Sequence, residues 1–289
     1  MQFAFEIELA SKVSHPNICN ILDVGTHGHQ TFVVMELLNG MSLHDRLRKE
    51  KTSIDQALDW SRQLSEAVDA IHSEGIIHGF IYPRNVFITN DNQAKLLDIG
   101  LSGLQSGIID SILQSDAGEQ HTGSEATTHA ELQGGLKQSL DLQSPEFLAY
   151  QAPELLDEHQ HNEVSDVFSL GCVIYEIATG VRAFPGTSPD LVIDAIKTSR
   201  PLSPTRLVPF LPISLEQQLY EMLERDPKRR MQSASQILAD LQRIRRDRTS
   251  ISIKTGAHIP AATSNDWPWL FACVSLIVVL AYLIWGREQ

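Results

Sequence analysis

The sequence predicts an α+β fold followed by one membrane-spanning segment, and three observations carry that expectation. β-Branched and aromatic runs bounded by turn residues fall in the first hundred positions, at Ile18–Val24, Thr31–Leu37, Val86–Ile88 and Ala94–Leu97. Further along, apolar residues recur at helical spacing: Ala57, Trp60, Leu64, Val68 and Ile71, then Ile237, Leu241 and Ile244. The third observation is Trp267–Trp285, 19 residues without a charge. As a helix this run would cover about the 30 Å of a bilayer's hydrocarbon core.

Taken in order, Phe5, Leu9 and Val13 keep helical spacing until His15-Pro16 stops it. Two strands follow around a Gly25–Gly28 turn. The second ends in Val33-Val34-Met35-Glu36-Leu37-Leu38-Asn39-Gly40, an apolar strand closed by an Asn-Gly turn. The helix through Trp60 leads into Ile76–Gly100. There Asn90-Asp91-Asn92 marks a hairpin turn between Val86–Ile88 and Ala94–Leu97. Asn85 precedes the first hairpin strand and Asp98 ends the second. Pairing would bring their oxygens together, as Mg²⁺ requires. Residues 102–146 carry seven carboxylates and ten Ser/Thr but only Lys137 as a base, and they read as a disordered insert. Cys172–Thr179 is apolar on nearly all sides, as a buried helix is, with Gly180 as its cap.

Charge and cysteine usage narrow the function classes. Residues 1–240 hold 17 basic and 33 acidic groups, whereas residues 241–289 hold 6 and 3. An acidic body argues against a nucleic-acid partner. Basic residues just before the apolar run (Arg243, Arg245, Arg246, Arg248 and Lys254) point to a membrane surface. They place the body in the cytoplasm, with a single pass near the C-terminus. Trp267, Trp269, Tyr282 and Trp285 flank the span as interfacial aromatics do. Cys19, Cys172 and Cys273 have neither zinc nor disulfide spacing, and no signal peptide is expected after Met1.

The motifs in sequence resemble the protein-kinase superfamily, and within it the serine/threonine kinases of bacteria. The family pattern H-R-D-L-K-P-x-N, hairpin, D-F-G is met by His78-Gly79-Phe80-Ile81-Tyr82-Pro83-Arg84-Asn85 and Asp98-Ile99-Gly100. His15-Pro16-Asn17-Ile18, Ala152-Pro153-Glu154, Asp166-Val167-Phe168-Ser169-Leu170-Gly171 and Asp226-Pro227-Lys228-Arg229-Arg230 resemble further family segments in the right order. The resemblance implies a kinase-like fold in which residues 1–38 are a remnant of the small lobe, its C helix and two strands. Residues 39–245 are then a mainly helical large lobe with the insert at the activation segment. Residues 246–266 form a polar linker and 267–285 the transmembrane helix.

The resemblance also implies roles. Glu6 would take the C-helix glutamate position, although a solvated first-turn carboxylate explains it equally. Met35 would be the gatekeeper, with Glu36 and Leu38 at the adenine hinge. Asn85 and Asp98 would be the metal ligands. His78 would be a structural histidine, Asp166 a brace for the backbone at His78 and Gly79, and Glu154 the ion-pair partner of Arg230. Phe80 stands at the position of the catalytic base and Tyr82 at that of the loop lysine, so no catalytic set is intact. The glycine-rich loop and its lysine are not among residues 1–289.

Three outcomes follow as expectations. One is a membrane-anchored pseudokinase that acts by binding or scaffolding, with ATP and Mg²⁺ weakly bound or absent. Its protein partner would dock on the uncovered small-lobe face. The second is a serine/threonine kinase whose ATP-clamping strands lie upstream of residue 1. The third is a fragment without a function of its own.

Overall fold

The computed structural model describes residues 10–27, 30–99, 144–156 and 161–255. Glu6, most of the 102–146 insert and the Trp267–Trp285 run lie outside the described residues. No helix among the described residues is long and apolar enough to cross a membrane. The chain divides into two compact units, 1–246 and 247–289.

The first unit mixes strands and helices, and its described strands all lie before residue 100. Its element order is β1 (Ile21–His27), β2 (Gln30–Met35), β3 (Gly40–Ser42), α1 (Leu43–Lys49), α2 (Ile54–Ser73), a 3-10 turn at Pro83–Asn85, β4 (Val86–Thr89) and β5 (Ala94–Leu96). There follow α3 (Pro145–Leu148), a second 3-10 turn at Pro153–Leu156, α4 (Glu163–Thr179), α5 (Pro189–Thr198), α6 (Pro204–Leu207), α7 (Ile213–Met222) and α8 (Ala234–Thr255).

Helix α4 is the central post. Val167, Phe168, Leu170, Val173, Ile174 and Ile177 are all buried, so the helix is covered nearly all round. An apolar helix of this kind is stable only inside a core. Its start is fixed reciprocally: Ser165 N donates to Asn162 Oδ1 (2.8 Å) and Asn162 N to Ser165 Oγ (2.9 Å). It ends at Gly180, whose φ of 76° is the left-handed cap conformation. Helix α2 packs on one side with Trp60, Leu64, Val68 and Ile71 buried, and α7 packs on the other.

The loop-bearing hairpin hangs on α2. Gln63 Oε1 accepts from Ala94 N (2.7 Å) and from Asn17 Nδ2 (2.9 Å), while Asn17 Nδ2 also reaches Ala94 O (2.8 Å). Trp60 Nε1 donates to Asn92 O at 3.0 Å. Strands β3, β4 and β5 form an antiparallel sheet with Met41 opposite Ile88 and Phe87 opposite Lys95. The short strand β3 was not expected from sequence; Gly40 and Ser42 mask it as a turn.

The first two strands sit differently from expectation. The Ile18–Val24 run splits: Ile18 forms a bridge with Leu96, and Cys19 N donates to Leu96 O (2.8 Å), so these residues join the edge of the β5 sheet. β1 starts only at Ile21 and continues through the expected Gly25 turn to His27, pairing with β2 from Ile21↔Met35 to His27↔Gln30. An apolar run reads the same whether it pairs with a hairpin partner or with a distant strand, so period alone could not divide it. This hairpin is a two-stranded sheet by itself. Its apolar side chains stay in water: Leu22 is 65% exposed, Leu37 just beyond it 89%, and Val24, Phe32, Val34 and Met35 are exposed too.

Candidate active site

Asp166 of α4 positions the loop. Its Oδ2 accepts from His78 N (2.8 Å), its Oδ1 from Gly79 N (2.8 Å), and His72 Nε2 lies 2.9 Å from Oδ2. His78 is fully buried, and burial lowers its pKa against the opposing pull of Asp166. Its neutral ring has a definite tautomer. Nδ1 accepts from Phe80 N (3.2 Å), so Nε2 carries the proton and donates it to Leu97 O (2.8 Å). Leu97 N in turn donates to Asn85 O (2.8 Å). The loop and the end of the hairpin are thereby knitted into one piece. Gly79, where the resemblance calls for arginine, has φ 76°, and a Cβ there would meet the His161 ring at 2.9 Å. A side chain there would be strained and would crowd that ring, both of which glycine avoids.

Asn85 is buried, and its Nδ2 donates to Phe80 O (3.2 Å), which leaves Oδ1 as an acceptor facing no donor among the described residues. Asp98 has φ 59°, and no described group hydrogen-bonds its carboxylate. Burial raises its pKa, and His78 only partly counters this. A desolvated carboxylate and an amide oxygen, at hairpin ends tied by the Leu97 N–Asn85 O hydrogen bond, are hard oxygen donors of the kind that suits Mg²⁺. Asn85 and Asp98 are the residues that would hold it.

The raised pKa of Asp98 has a measurable consequence. Stability tied to its protonated form is present below the unfolded pKa and lost as pH rises through the folded pKa. Asp98→Asn is therefore expected to raise the thermal midpoint in the absence of divalent cation at about pH 8, the difference shrinking toward about pH 4. Adding Mg²⁺ should raise only the parent. Equal midpoints across this range would contradict the assignment.

Phe80 and Tyr82 do not point into an open cleft. Phe80 is 2% exposed, stacked on Phe147 (5.5 Å between centroids, 18° between planes) and tilted against His161 (5.1 Å). Tyr82 meets Phe147 edge-on at 5.4 Å and 86°, and burial pushes its pKa up to about 12. Such pairs are favourable beyond their buried area. Phe147 comes from α3, whose N-cap Ser144 Oγ accepts from Phe147 N at 3.2 Å. The described residues take up again at Ser144, within the last three positions of the 102–146 stretch. Where the resemblance calls for a carboxylate and an ammonium, the structure has an aromatic core that glues the end of the segment to the loop.

The residues that the resemblance puts at the hinge lie at and just beyond the end of β2. Met35 is exposed, and Glu36 and Leu38 are half-buried. The Glu36 carboxylate pairs with Lys95 Nζ (2.7 Å) and accepts from Asn20 N (2.9 Å). Burial works to raise its pKa, but these contacts together outweigh it and hold the pKa below the ordinary value. Glu36 N donates to Asn20 O (3.0 Å), so that its amide is already used.

Glu154 and Arg230 form a two-pronged pair, Nη1–Oε1 at 2.6 Å and Nη2–Oε2 at 2.8 Å. The Arg230 side chain has no exposed surface and also donates to Val164 O (2.9 Å), Glu224 O (2.8 Å) and Arg225 O (3.1 Å). Its guanidinium lies 5.0 Å from the Phe168 ring centroid.

Sequence reasoning missed Lys95, Phe147 and His161. For Lys95 the signal was present: between Ala94 and Leu96, both buried, it takes the outward place of a β alternation. Phe147 and His161 carry no local signal, since their role exists only through contacts across the fold.

Comparison with known proteins agrees with this geometry. The protein kinase domain family matches residues 1–117 and 142–241. A probable serine/threonine-protein kinase of Clostridium perfringens is 28% identical over 248 residues, covering 85% of this chain and 32% of that protein. The serine/threonine-protein kinase pkn2 of Myxococcus xanthus is 29% identical over 274 residues, covering 92% of this chain and 30% of its own length. PknB of Mycolicibacterium smegmatis is 27% identical over 286 residues, covering 93% and 42%. The chain thus spans about a third of the length of the curated relatives it matches. The crystal structure of Rad53 1–466 in complex with AMP-PNP superimposes with a TM-score of 0.61 at 24% identity, over 82% of this chain and 53% of that one, a likeness of fold. By its fold, its ordered motifs and its family match, the chain belongs to the protein kinase domain family.

Proposed function

We propose that this chain is a catalytically deficient member of the family that acts by binding. The observation that carries this is the aromatic core at Phe80, Tyr82 and Phe147. Phosphoryl transfer needs an aligned nucleophile with a proton acceptor beside it, and general-base help is worth roughly 10²–10⁴-fold. A buried phenyl ring offers none. Tyr82 is neutral where charge compensation is called for. Asn85 and Asp98 still suit Mg²⁺, so nucleotide binding in the millimolar range, about −4 kcal/mol, fits the site.

A second reading has its own support. The relatives are named serine/threonine kinases, a structural neighbour was solved with AMP-PNP, the Glu154–Arg230 pair is closed, and Asn85 and Asp98 are residues of the kind that hold Mg²⁺. On that reading the chain is a serine/threonine kinase using ATP and Mg²⁺, with its ATP-clamping strands upstream of residue 1. One assay separates the two: transfer of labelled phosphate from ATP by the full chain with Mg²⁺ or Mn²⁺, with Asp98→Ala as control. No transfer is expected. Transfer that the control abolishes would establish the second reading.

The proposal includes a membrane anchor at Trp267–Trp285, with the body in the cytoplasm. The uncharged run, its aromatic ends and the basic flank support it. The protein is expected to stay in the pellet on alkaline carbonate extraction; release into the supernatant would refute the anchor. The exposed hairpin side chains support a protein partner at β1–β2, since leaving each large apolar side chain in water forfeits about 1.5–3 kcal/mol. A body that stays monomeric and shows no partner in cross-linked membranes would remove that part.

A further inference from the structure

Beside the aromatic core, three side chains from three different segments meet at the carboxylate of a fourth. Glu146 Oε1 lies 2.8 Å from His44 Nδ1 and 3.4 Å from Arg182 Nη2, and Oε2 lies 3.3 Å from Arg84 Nη2. Arg84 Nη2 is also 3.5 Å from His44 Nε2. A guanidinium can only donate, so in this long contact His44 Nε2 is the acceptor, while the buried Glu146 Oε1 makes no hydrogen bond even with His44 Nδ1 close by. Two guanidinium groups therefore face one carboxylate directly, with Asp45 near Arg84 and Glu176 near Arg182 as further acidic groups within electrostatic reach.

The contacts are also slack. Charge-assisted pairs close to about 2.7–2.9 Å. Glu154–Arg230 in this same fold does so, whereas both arginines here stand off at 3.3 and 3.4 Å. Each guanidinium has five donors in a planar fork, and Arg84 is 51% exposed. The result is a pair of guanidinium groups with unused donor capacity, one of them half exposed. It lies one residue from Asn85 and one residue from Phe147, at the mouth of the loop.

We infer that Arg84 and Arg182, with His44, form a site for an anionic side chain of a bound polypeptide, phosphoryl or carboxylate, and that Glu146 occupies it in the free protein. The inference rests on the binding role proposed above and names the chemistry of the ligand. A tetrahedral or planar oxyanion would bridge the two guanidinium forks and displace the Glu146 carboxylate.

The test is fluorescence anisotropy with the full chain in detergent and three labelled peptides. One alternates glutamate and glycine around a central phosphoserine, one is its unphosphorylated parent, and one has glutamine in place of every glutamate and no phosphate. Anionic peptides are expected to bind and the neutral one not. Binding of the phosphopeptide alone assigns a phosphoryl group; comparable binding of both assigns a carboxylate. Arg84→Gln with Arg182→Gln should weaken binding at least about tenfold, with Arg84→Lys and Arg182→Lys retaining part of it. Glu146→Gln should tighten binding, because the internal competitor loses its charge. Absence of binding, equal binding of the neutral peptide, or unchanged binding by the double glutamine variant would overturn the inference. So would a Glu146→Gln variant that weakens binding as the arginine changes do, the mark of a purely structural tie. Phosphotransfer measured on the same samples reports on the deficient-kinase reading separately: transfer with anionic peptide selection would sink that reading and leave the site standing.

Discussion

Phe80→Asp, the change that restores the family's base in name, is expected to damage the fold instead of creating a kinase. The position is 2% exposed and enclosed by Phe147 and His161. Losing the ring alone costs about 3–5 kcal/mol. A carboxylate put in its place is desolvated among aromatic groups without a cation, which adds to the loss. In a domain of this size the sum is read as a drop of roughly 10 °C in the thermal midpoint. Phe80→Leu keeps the site apolar and should fall clearly less. Phosphotransfer should stay undetectable in both, since one acidic group does not supply the missing cation at Tyr82, and such groups act as a unit. A Phe80→Asp protein as stable as its parent, or one that transfers phosphate, would show that the aromatic core is not what keeps this site silent.

The second large effect belongs to Glu154. Removing it by Glu154→Ala strands the fully buried guanidinium of Arg230, and breaking a buried pair from one side costs about 3–5 kcal/mol. The urea midpoint should fall accordingly. The paired change Glu154→Leu with Arg230→Met removes both charges and should recover most of the loss, because hydrophobic replacement of a whole buried pair is close to neutral. A single Glu154→Ala change within about 1 kcal/mol of the parent would mean that the three carbonyls around Arg230 suffice to hold it.

Parts of the molecule were legible in the sequence for clear physical reasons. Helix α2 could be placed because its buried residues repeat at helical spacing, and α4 because its apolar run ends in a glycine cap. The β4–β5 hairpin was marked by Asn90-Asp91-Asn92, whose last residue has φ 61°. Long-range pairs such as Asp166 with the His78 and Gly79 amides could be named only through the ordered family motifs, because nothing local links residues 88 and 87 positions apart. What escaped notice lacks both kinds of signal. The Ile18–Val24 run divides between two sheets because of Leu96. The convergence of His44, Arg84 and Arg182 on Glu146 joins four segments, each of which reads as an ordinary polar surface. Phe80 and Tyr82 were visible as missing chemistry, but that they are a packed core is a property of Phe147, and no motif announces it.

The separateness of the β1–β2 hairpin bears on how the body opens and closes in time. Its pairs join residues at most as far apart as Ile21 and Met35. The ties that hold the large lobe join residues 76 to 88 positions apart. Closing such distances makes the lobe slow to form and cooperative once formed, whereas a local hairpin zips in about 1–10 μs. The two therefore fluctuate on different clocks. The hairpin is expected to fray and re-form many times while the post around α4 stays intact, so its amides should exchange hydrogen faster than those of α4. A partner that settles on it would capture the closed members of that fast equilibrium, and would add order to the small lobe without disturbing the large one.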